Sequence, residues 1–477
     1  MKNAVILQED NIFKTCKNTR RKSMKELKIG YLALSKLSWK TPRIEGLAKD
    51  TEKELAKMEG CKLIAPEGLV TSEKEAQAGA EMLAAAGIDL LVMHFVTFPA
   101  GALIPVIAER IQAPIVLLAN PEEACAGKMW EQNSFCGANL GAFVMRRLGK
   151  QYGYLKVMPA ETPAALKKYL AAARCISAMK NCRIGLAGGR VPGFYTSNFD
   201  EMKTRAKFGV AVEVADLVEV VDTAAKLTPE QLAEARAVVK RSSCKVNNVP
   251  DKELELAAKM FGAFKAMTRK YNIEALAIRC WPEFSDIFGI APCAVIGMLN
   301  DCGIPSSCEG DVPGAVTMSM LKQLAGGGIP LFVDLISYDE KANTGVVWHC
   351  GAAPVSLCRK FEETEYRLHF RVDGGDKKGV TNDFSLKPGP ITLAKLDQDV
   401  DGHFRMLIAK GEAIDTEPFI RGNPLTIRFE APIKNLIDTI MLKGFEHHYT
   451  VIHADVKEEL LQYCAWMDIE PVMPEVK

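Results

Sequence analysis

The chain has 477 residues, enough at roughly 100–200 residues per domain for two to four domains and a large core. Apolar residues make up 48% and charged residues 25%, with 36 Gly and 24 Pro, values that exclude collagen-like, coiled-coil and disordered classes. With 60 Lys+Arg against 59 Asp+Glu the formal net charge is +1, so no long-range field gathers nucleic acid or anionic membrane, and a small-molecule function is expected.

Residues 1–24 are polar and basic (Lys14, Lys17, Arg20, Arg21, Lys22) and lack an apolar run of signal-peptide length. We read them as an N-terminal extension. No stretch reaches about 18 uninterrupted apolar residues, so a cytoplasmic protein that neither spans a membrane nor is exported is expected. The 14 cysteines show no framework spacing and mostly sit in apolar stretches, as Cys293 and Cys464 do, which fits reduced thiols.

From Leu27 onward, short β-branched runs alternate with stretches of helical period, the pattern of parallel βαβ units. Residues 25–180 read as a first α/β domain, with strands Leu27–Ser35, Lys62–Pro66, Asp89–Phe95 and Pro114–Ala119 and a helix over Glu73–Ala86. "IDLLVMHFV" is near-continuously apolar, as a strand covered on both faces must be. A second α/β domain spans 181–345, opening on the strand "RIGLAGG" and continuing through strand Ala275–Arg279 and helix Cys293–Asn300. Beyond it, in 346–477, "EYRLHFRV", "GPITLAKL" and "HFRMLIAKGEAI" alternate apolar and polar residues between turns. That marks a mostly antiparallel β domain, closed by helices near Pro432–Leu442 and Lys457–Trp466. The expected fold is thus two tandem Rossmann-like α/β domains with parallel sheets, followed by the β domain.

The densest polar cluster lies between Cys308 and Cys350. Glu309 and Asp311 follow a short strand, Asp334 ends "PLFVDL", and His349 ends "GVVWHC". In open α/β sheets ligands bind beyond the carboxyl ends of strands, so these acids point at a cleft. Carboxylates with an imidazole suit Mn²⁺, Zn²⁺ or Fe²⁺ better than Mg²⁺ or Ca²⁺. Each acid taken singly serves equally well as a helix N-cap or strand-end ion pair. Near the C-terminus, His447 and His448 adjoin at a strand start; strand alternation sends them to opposite faces, so only one enters a given cleft. "GLAGGRVPGFYTSNFD" lacks the G-x-G-x-x-G spacing, which argues against a dinucleotide, and sets Arg190 and Tyr195 beside glycines that let backbone approach a ligand. "AIRCWPEF" offers Arg279 and Trp281 as a wall for a polar ligand, and His94 ends the strand "LLVMH". Cys280, Cys293, Cys302 and Cys308 are too irregular for a zinc knuckle and read as small buried hydrophobes.

These segments resemble the L-fucose isomerase / L-arabinose isomerase superfamily from about Leu27 to the C-terminus. The most specific stretch is "LNDCGIPSSCEGDVPGAVTMSML…PLFVDL…WHCGAAP", supported by "GGRVPGFY", "RCWPEF", "GPITLAKL…GEAIDT" and "GFEHHYTVIHADV". The resemblance implies a metal-dependent aldose–ketose isomerase acting through a cis-enediol, usually with Mn²⁺. It implies Glu309 and Asp334 as catalytic acids and metal ligands, and His349 and His448 as the remaining ligands. Asp at 334 sides with the fucose branch, while the HH segment leans towards arabinose isomerases. The implied substrate is a pentose or deoxyhexose. Arg190 and Arg279 leave open an anionic sugar such as sulfoquinovose, and a non-catalytic sugar-binding protein of the same fold is the remaining alternative. A homo-oligomer, trimer or hexamer, is implied too, with first-domain residues such as His94 and Trp130 lining a neighbour's site.

Overall fold

The computed structural model describes residues 26–122, 130–286, 288–369 and 378–476. The N-terminal extension therefore lies outside the described residues. The chain divides into two units: one holds Lys22–Ser177 with Glu458–Asp468, the other Ala178–Lys457 with Ile469–Lys477. Among the described residues no helix is long and apolar enough to cross a membrane.

The first unit is built on strands β1 (Leu27–Leu34), β2 (Cys61–Ile64), β3 (Leu90–Phe95), β4 (Ile115–Ala119) and β5 (Gly153–Lys156). They form a parallel sheet in the order β2-β1-β3-β4-β5. Every residue of β3 is buried, which is why its run had to be apolar on both faces. The helix Glu73–Ala86 starts where Ser72 and Glu75 form a reciprocal capping box and stops at Gly87 in the left-handed conformation. Its buried residues Ala76, Gly79, Ala80 and Leu83 recur at helical spacing and face the sheet. The C-terminal helix Lys457–Met467 also contributes here, setting Trp466 against Tyr169.

In the other unit, β6 (Arg183–Ala187), β7 (Ala211–Ala215), β9 (Ala275–Ile278) and β10 (Ser306–Cys308) form a second parallel sheet in the order β10-β9-β6-β7. The two-residue β8 (Lys245–Val246) joins β13 (Glu365–His369) and β14 (Lys378–Asp383) in a small side sheet. The remaining strands are β11 (Pro330–Asp339), β12 (Thr344–Trp348), β15 (Gly389–Gln398), β16 (Phe404–Ala413), β17 (Leu425–Phe429), β18 (His448–Ile452) and β19 (Glu470–Val472). They run in the order β15-β18-β11-β12-β17-β16-β19, antiparallel except for the parallel β16–β19 edge. Because β15 also pairs with β16 along ten register positions, the sheet closes on itself into a barrel, with β19 outside the ring. Closure satisfies strand edges that would otherwise be exposed. Its interior holds Leu331, Val333, Leu393, Leu407, Ile427 and Val451, all essentially inaccessible.

Candidate functional site

The carboxyl ends of β6, β9 and β10 lie side by side and release Gly188–Arg190, Arg279–Trp281 and Glu309 respectively. Glu309 has left-handed backbone at φ 59°, followed by Gly310 at φ 69°. A β-carbon on Gly310 would stand 2.4 Å from the Gly189 carbonyl oxygen, so only glycine permits this close approach of the two loops. The turn is held by Gly310 N–H donating to the Ile278 carbonyl at 3.0 Å and Asp311 N–H to the Cys308 carbonyl at 3.1 Å.

The barrel supplies the opposing groups. Asp334 on β11 pairs directly with His448 on β18 and, on its other side, with Trp348 on β12, so acid and imidazole share one face of the ladder. His349 follows at the end of β12 and is buried. His448 Nε2 meets Glu309 Oε2 at 2.7 Å and stands 3.9 Å from Asp334 Oδ1, while Trp281 Nε1–H donates to Glu309 Oε1 at 3.1 Å. Glu309, His349 and His448 thus converge from strand ends, and Asp334 from the middle of β11, which runs on to Asp339 and does not end at Asp334 as the sequence suggested. Phe194, from the loop after β6, covers them edge-on, its ring 5.5 Å from Trp281, 5.8 Å from His447 and 6.1 Å from His448.

Behind the imidazole lies a buried charge network that the sequence did not reveal as one. Asp311 caps the helix Val312–Leu324, its Oδ1 accepting from Gly314 N–H at 2.7 Å. Its Oδ2 is 3.1 Å from His448 Nδ1 and 3.2 Å from Lys395 Nζ on β15. One residue therefore fulfils both readings of a strand-end acid. Lys395 also pairs with Glu446, whose Oε2 accepts the His448 N–H at 2.6 Å. A carboxylate on Nδ1 fixes the ring's orientation and leaves Nε2 facing the site.

Electrostatics follow from these contacts. Burial by itself would raise Glu309, but the His448 hydrogen bond and the charge of His349 outweigh it and hold the carboxyl below its usual range. Burial raises Asp334, and neighbouring Glu309 adds to it against His349, His448 and His447. Asp311 is driven down to about 2 despite burial, chiefly by Lys395 and His448. His448 is raised, its hydrogen bonds to Asp311 and Glu309 overcoming desolvation.

The expectation that only one of the paired histidines could enter the cleft is corrected. β18 begins at His448, so His447 sits in a bend, outside the alternation of a pleated strand. Its ring packs 4.2 Å from that of His448, and one ligand atom each of Glu309, His447 and His448 lies within 4.8 Å of the others. Lys395, Glu446 and Phe194 were not anticipated either. The lysine of "GPITLAKL" reads in sequence as the wet face of an alternating strand, so it gave no signal for the network.

The other anticipated residues fall as follows. Trp281 reaches the site through Glu309. Arg279 is tied to the Gly188 carbonyl at 3.1 Å and to Glu283. Arg190, one residue beyond the Gly189–Gly310 contact, has no carboxylate partner among the described residues; it lies 5.4 Å from the ring of Tyr195, which is 80% exposed. His94 belongs to the first unit, fully buried, its Nδ1 2.7 Å from Tyr31 Oη and its Nε2 2.7 Å from Asn120 Oδ1. Burial pulls it down to about 4, the behaviour of a neutral, satisfied core histidine.

The donor set fits a divalent cation. Asp334 Oδ1 is buried without a hydrogen-bond partner, an orphan that a cation would satisfy. Carboxylate oxygens with imidazole nitrogens match Mn²⁺, Fe²⁺ or Zn²⁺.

Residues 41–180 match the family model "Fucose/sulfoquinovose isomerase, N-terminal domain", and residues 347–473 match "L-fucose isomerase, C-terminal domain". Among curated proteins, the sulfoquinovose isomerase of Priestia megaterium (strain ATCC 12872 / QMB1551) is 30% identical over 412 residues, covering 86% of this chain and 90% of that one. The sulfoquinovose isomerase of Alkalicoccus urumqiensis is 30% identical over 438 residues, 91% of this chain and 96% of its own. That of Clostridium sp. (strain MSTE9) is 30% identical over 387 residues, 80% and 85% respectively.

Proposed function

This chain belongs to the fucose/sulfoquinovose isomerase family and is an aldose–ketose sugar isomerase, and from that premise we propose that its substrate is a sulfonated aldose of the sulfoquinovose class. The observation that carries the choice is Arg190: its Cα abuts Glu309's loop, and its guanidinium, over the Tyr195 ring, has no carboxylate to neutralise it among the described residues. A neutral pentose or deoxyhexose gives that charge nothing to bind, whereas a sulfonate accepts charge-assisted hydrogen bonds from it. The names of the relatives point the same way.

Isomerisation moves a proton between C2 and C1 through a cis-enediol, which requires a base, an acid and stabilisation of charge on two neighbouring oxygens. Glu309 and Asp334 act as the base and acid, so the pH profile reports the pair and not either residue alone. Glu309, Asp334, His349 and His448 would hold the divalent cation, with Mn²⁺ the ion this reading favours. When bound, such an ion supplies Lewis-acid stabilisation at O1 and O2. Trp281 fixes Glu309 through its indole N–H, and Phe194 closes one side of the cleft against water. We assign the enzyme to the cytoplasm as a homo-oligomer. Trp130, Phe135 and Phe143, all more than half exposed at the start and along the helix Ser134–Arg147, offer an apolar face for self-association.

The test is kcat/KM on sulfoquinovose, L-fucose and L-arabinose with added Mn²⁺, for wild type, Arg190→Ala and Glu309→Gln. Arg190→Ala should lose about 10–100-fold on the sulfonated sugar, the worth of charge-assisted hydrogen bonds, and change little on neutral ones. Glu309→Gln should be inactive on all. Preference of the wild type for a neutral sugar, or equal loss on both after Arg190→Ala, would overturn the sulfonate assignment.

A further inference from the structure

A second cluster of soft ligands stands next to the isomerase site and takes no part in the chemistry above. Cys293, at the start of the helix Cys293–Asp301, and Cys350, just past β12, are both free and bring their sulfurs to 3.4 Å. His369, at the end of β13, adds a ring nitrogen, and the three ligand atoms lie within 4.8 Å of one another. Cys293 is only 2% exposed. Two further thiols, Cys280 and Cys308, lie close enough to this pair to act on it electrostatically.

We propose that Cys293, Cys350 and His369 form a binding site for a thiophilic divalent cation, Zn²⁺ or a similar borderline-soft ion, distinct from the carboxylate–imidazole site. Two thiolates and one imidazole are the donors of a tetrahedral zinc centre with one position left open. The distances separate this from the other fate of paired cysteines. Metal–sulfur bonds of about 2.3 Å at tetrahedral angles put two sulfurs about 3.8 Å apart, so the pair needs to open by only about 0.4 Å. A disulfide at about 2.05 Å would require it to close by about 1.4 Å. An imidazole nitrogen within 4.8 Å of both sulfurs also serves a cation and not a disulfide. The donor types sort the two sites: thiolates select soft ions, whereas the carboxylates of Glu309 and Asp334 suit Mn²⁺. Cys350 Sγ is also 3.3 Å from Nδ1 of His349, so an ion held here shares a side-chain neighbour with the isomerase site.

The experiment titrates reduced, metal-free full-length protein with Co²⁺, whose thiolate charge-transfer band and tetrahedral d–d bands report sulfur ligation directly. One equivalent should give the thiolate bands in the wild type and also in Glu309→Gln, since that substitution removes no ligand of this site. Cys350→Ser and His369→Gln should lose or markedly alter them; His369 is partly exposed, so its variant is expected to fold even if a buried cysteine variant does not. Zn²⁺ should displace the signal stoichiometrically. Absence of thiolate bands in the wild type, or bands unchanged in both variants, would overturn the proposal. So would a mass loss of two hydrogens that blocks binding even under reducing conditions, because the pair would then be a disulfide. None of these outcomes depends on which sugar is isomerised.

Discussion

Replacing Lys395 by methionine keeps the side chain's length and volume while deleting a cation that is 2% exposed against an Asp311 that is 0% exposed. At their separation of 3.2 Å, an effective dielectric of about 20 puts the attraction at about 5 kcal/mol. Removing one partner of such a buried pair costs about 3–5 kcal/mol, since the carboxylates of Asp311 and Glu446 both stay desolvated after losing the cation they share. In a unit of this size each kcal/mol lowers the melting temperature by about 2–4 °C, so the variant should melt roughly 10 °C below wild type. Adding Asp311→Asn removes one of the two stranded charges, leaving that of Glu446, and should recover part of that loss. It should not recover function, because the amide cannot hold the His448 ring as the carboxylate does. Mn²⁺ affinity, measured by calorimetry, should stay about 10–100-fold weaker in the double variant. The separation of the two readouts is the sharp part: stability partly returns and metal affinity does not. A Lys395→Met protein melting within about 2 °C of wild type would show that the network carries no net stabilisation. Wild-type Mn²⁺ affinity in the double variant would show that Asp311 does not position His448.

His447→Ala should weaken Mn²⁺ binding modestly through the loss of its ring against His448 while leaving the melting temperature within about 2 °C, since its side chain is 49% exposed; unchanged affinity would show that it takes no part in ion binding. Gly310→Ala forces a β-carbon to within 2.4 Å of the Gly189 carbonyl at φ 69°, so the loop must move and carry Glu309 with it. Turnover should fall by at least about 100-fold with a smaller change in stability, and near-wild-type kinetics would mean that Glu309's placement is tolerant. Asp301 is partly buried and pushed up to about 6 by desolvation, against an ordinary value of 3.8, in spite of hydrogen bonds from Ser356 and Val355. Its proton is therefore retained on folding between those values, so its contribution to stability falls as pH rises from about 4 to 6. Asp301→Asn should flatten that part of the stability curve by up to about 3 kcal/mol, measured by denaturant titration at pH 4.5 and 7; an unchanged slope would contradict the assignment.

Local signals carried the first α/β region almost to the residue. The helix Glu73–Ala86 was readable because its Ser72/Glu75 box and terminal glycine are written in adjacent positions, and β3 because a doubly covered strand tolerates no polar residue except a satisfied one, His94. Glu309, His349 and His448 were legible as strand-end residues, because the ends of strands are where sheets expose chemistry, whereas Asp334 lies inside β11, which the sequence reading ended too early. What was not legible depends on partners remote in sequence. Barrel closure is a pairing of β15 with both β16 and β18, and alternation along any one strand is the same whether or not the sheet closes. Lys395 looks like a solvent-facing residue of a half-wet strand until the helix Val312–Leu324 covers that face. His447 was misassigned because a one-residue shift in where β18 begins decides whether alternation applies at all.

The closed barrel has a consequence for how the enzyme should fail on heating. Asp334 and His448 sit on the same rung of the β11–β18 ladder, and β18 is held on its far side by β15, which is itself stitched to β16. An open sheet can lose its outermost strand early and take a peripheral active site with it. Here neither strand is outermost, so these two groups separate only when the ring opens, and the ring opens as a whole. The Asp334–His448 half of the site should then persist up to the cooperative melting of the barrel, whereas Glu309, which follows the sheet-edge strand β10, can be lost before it.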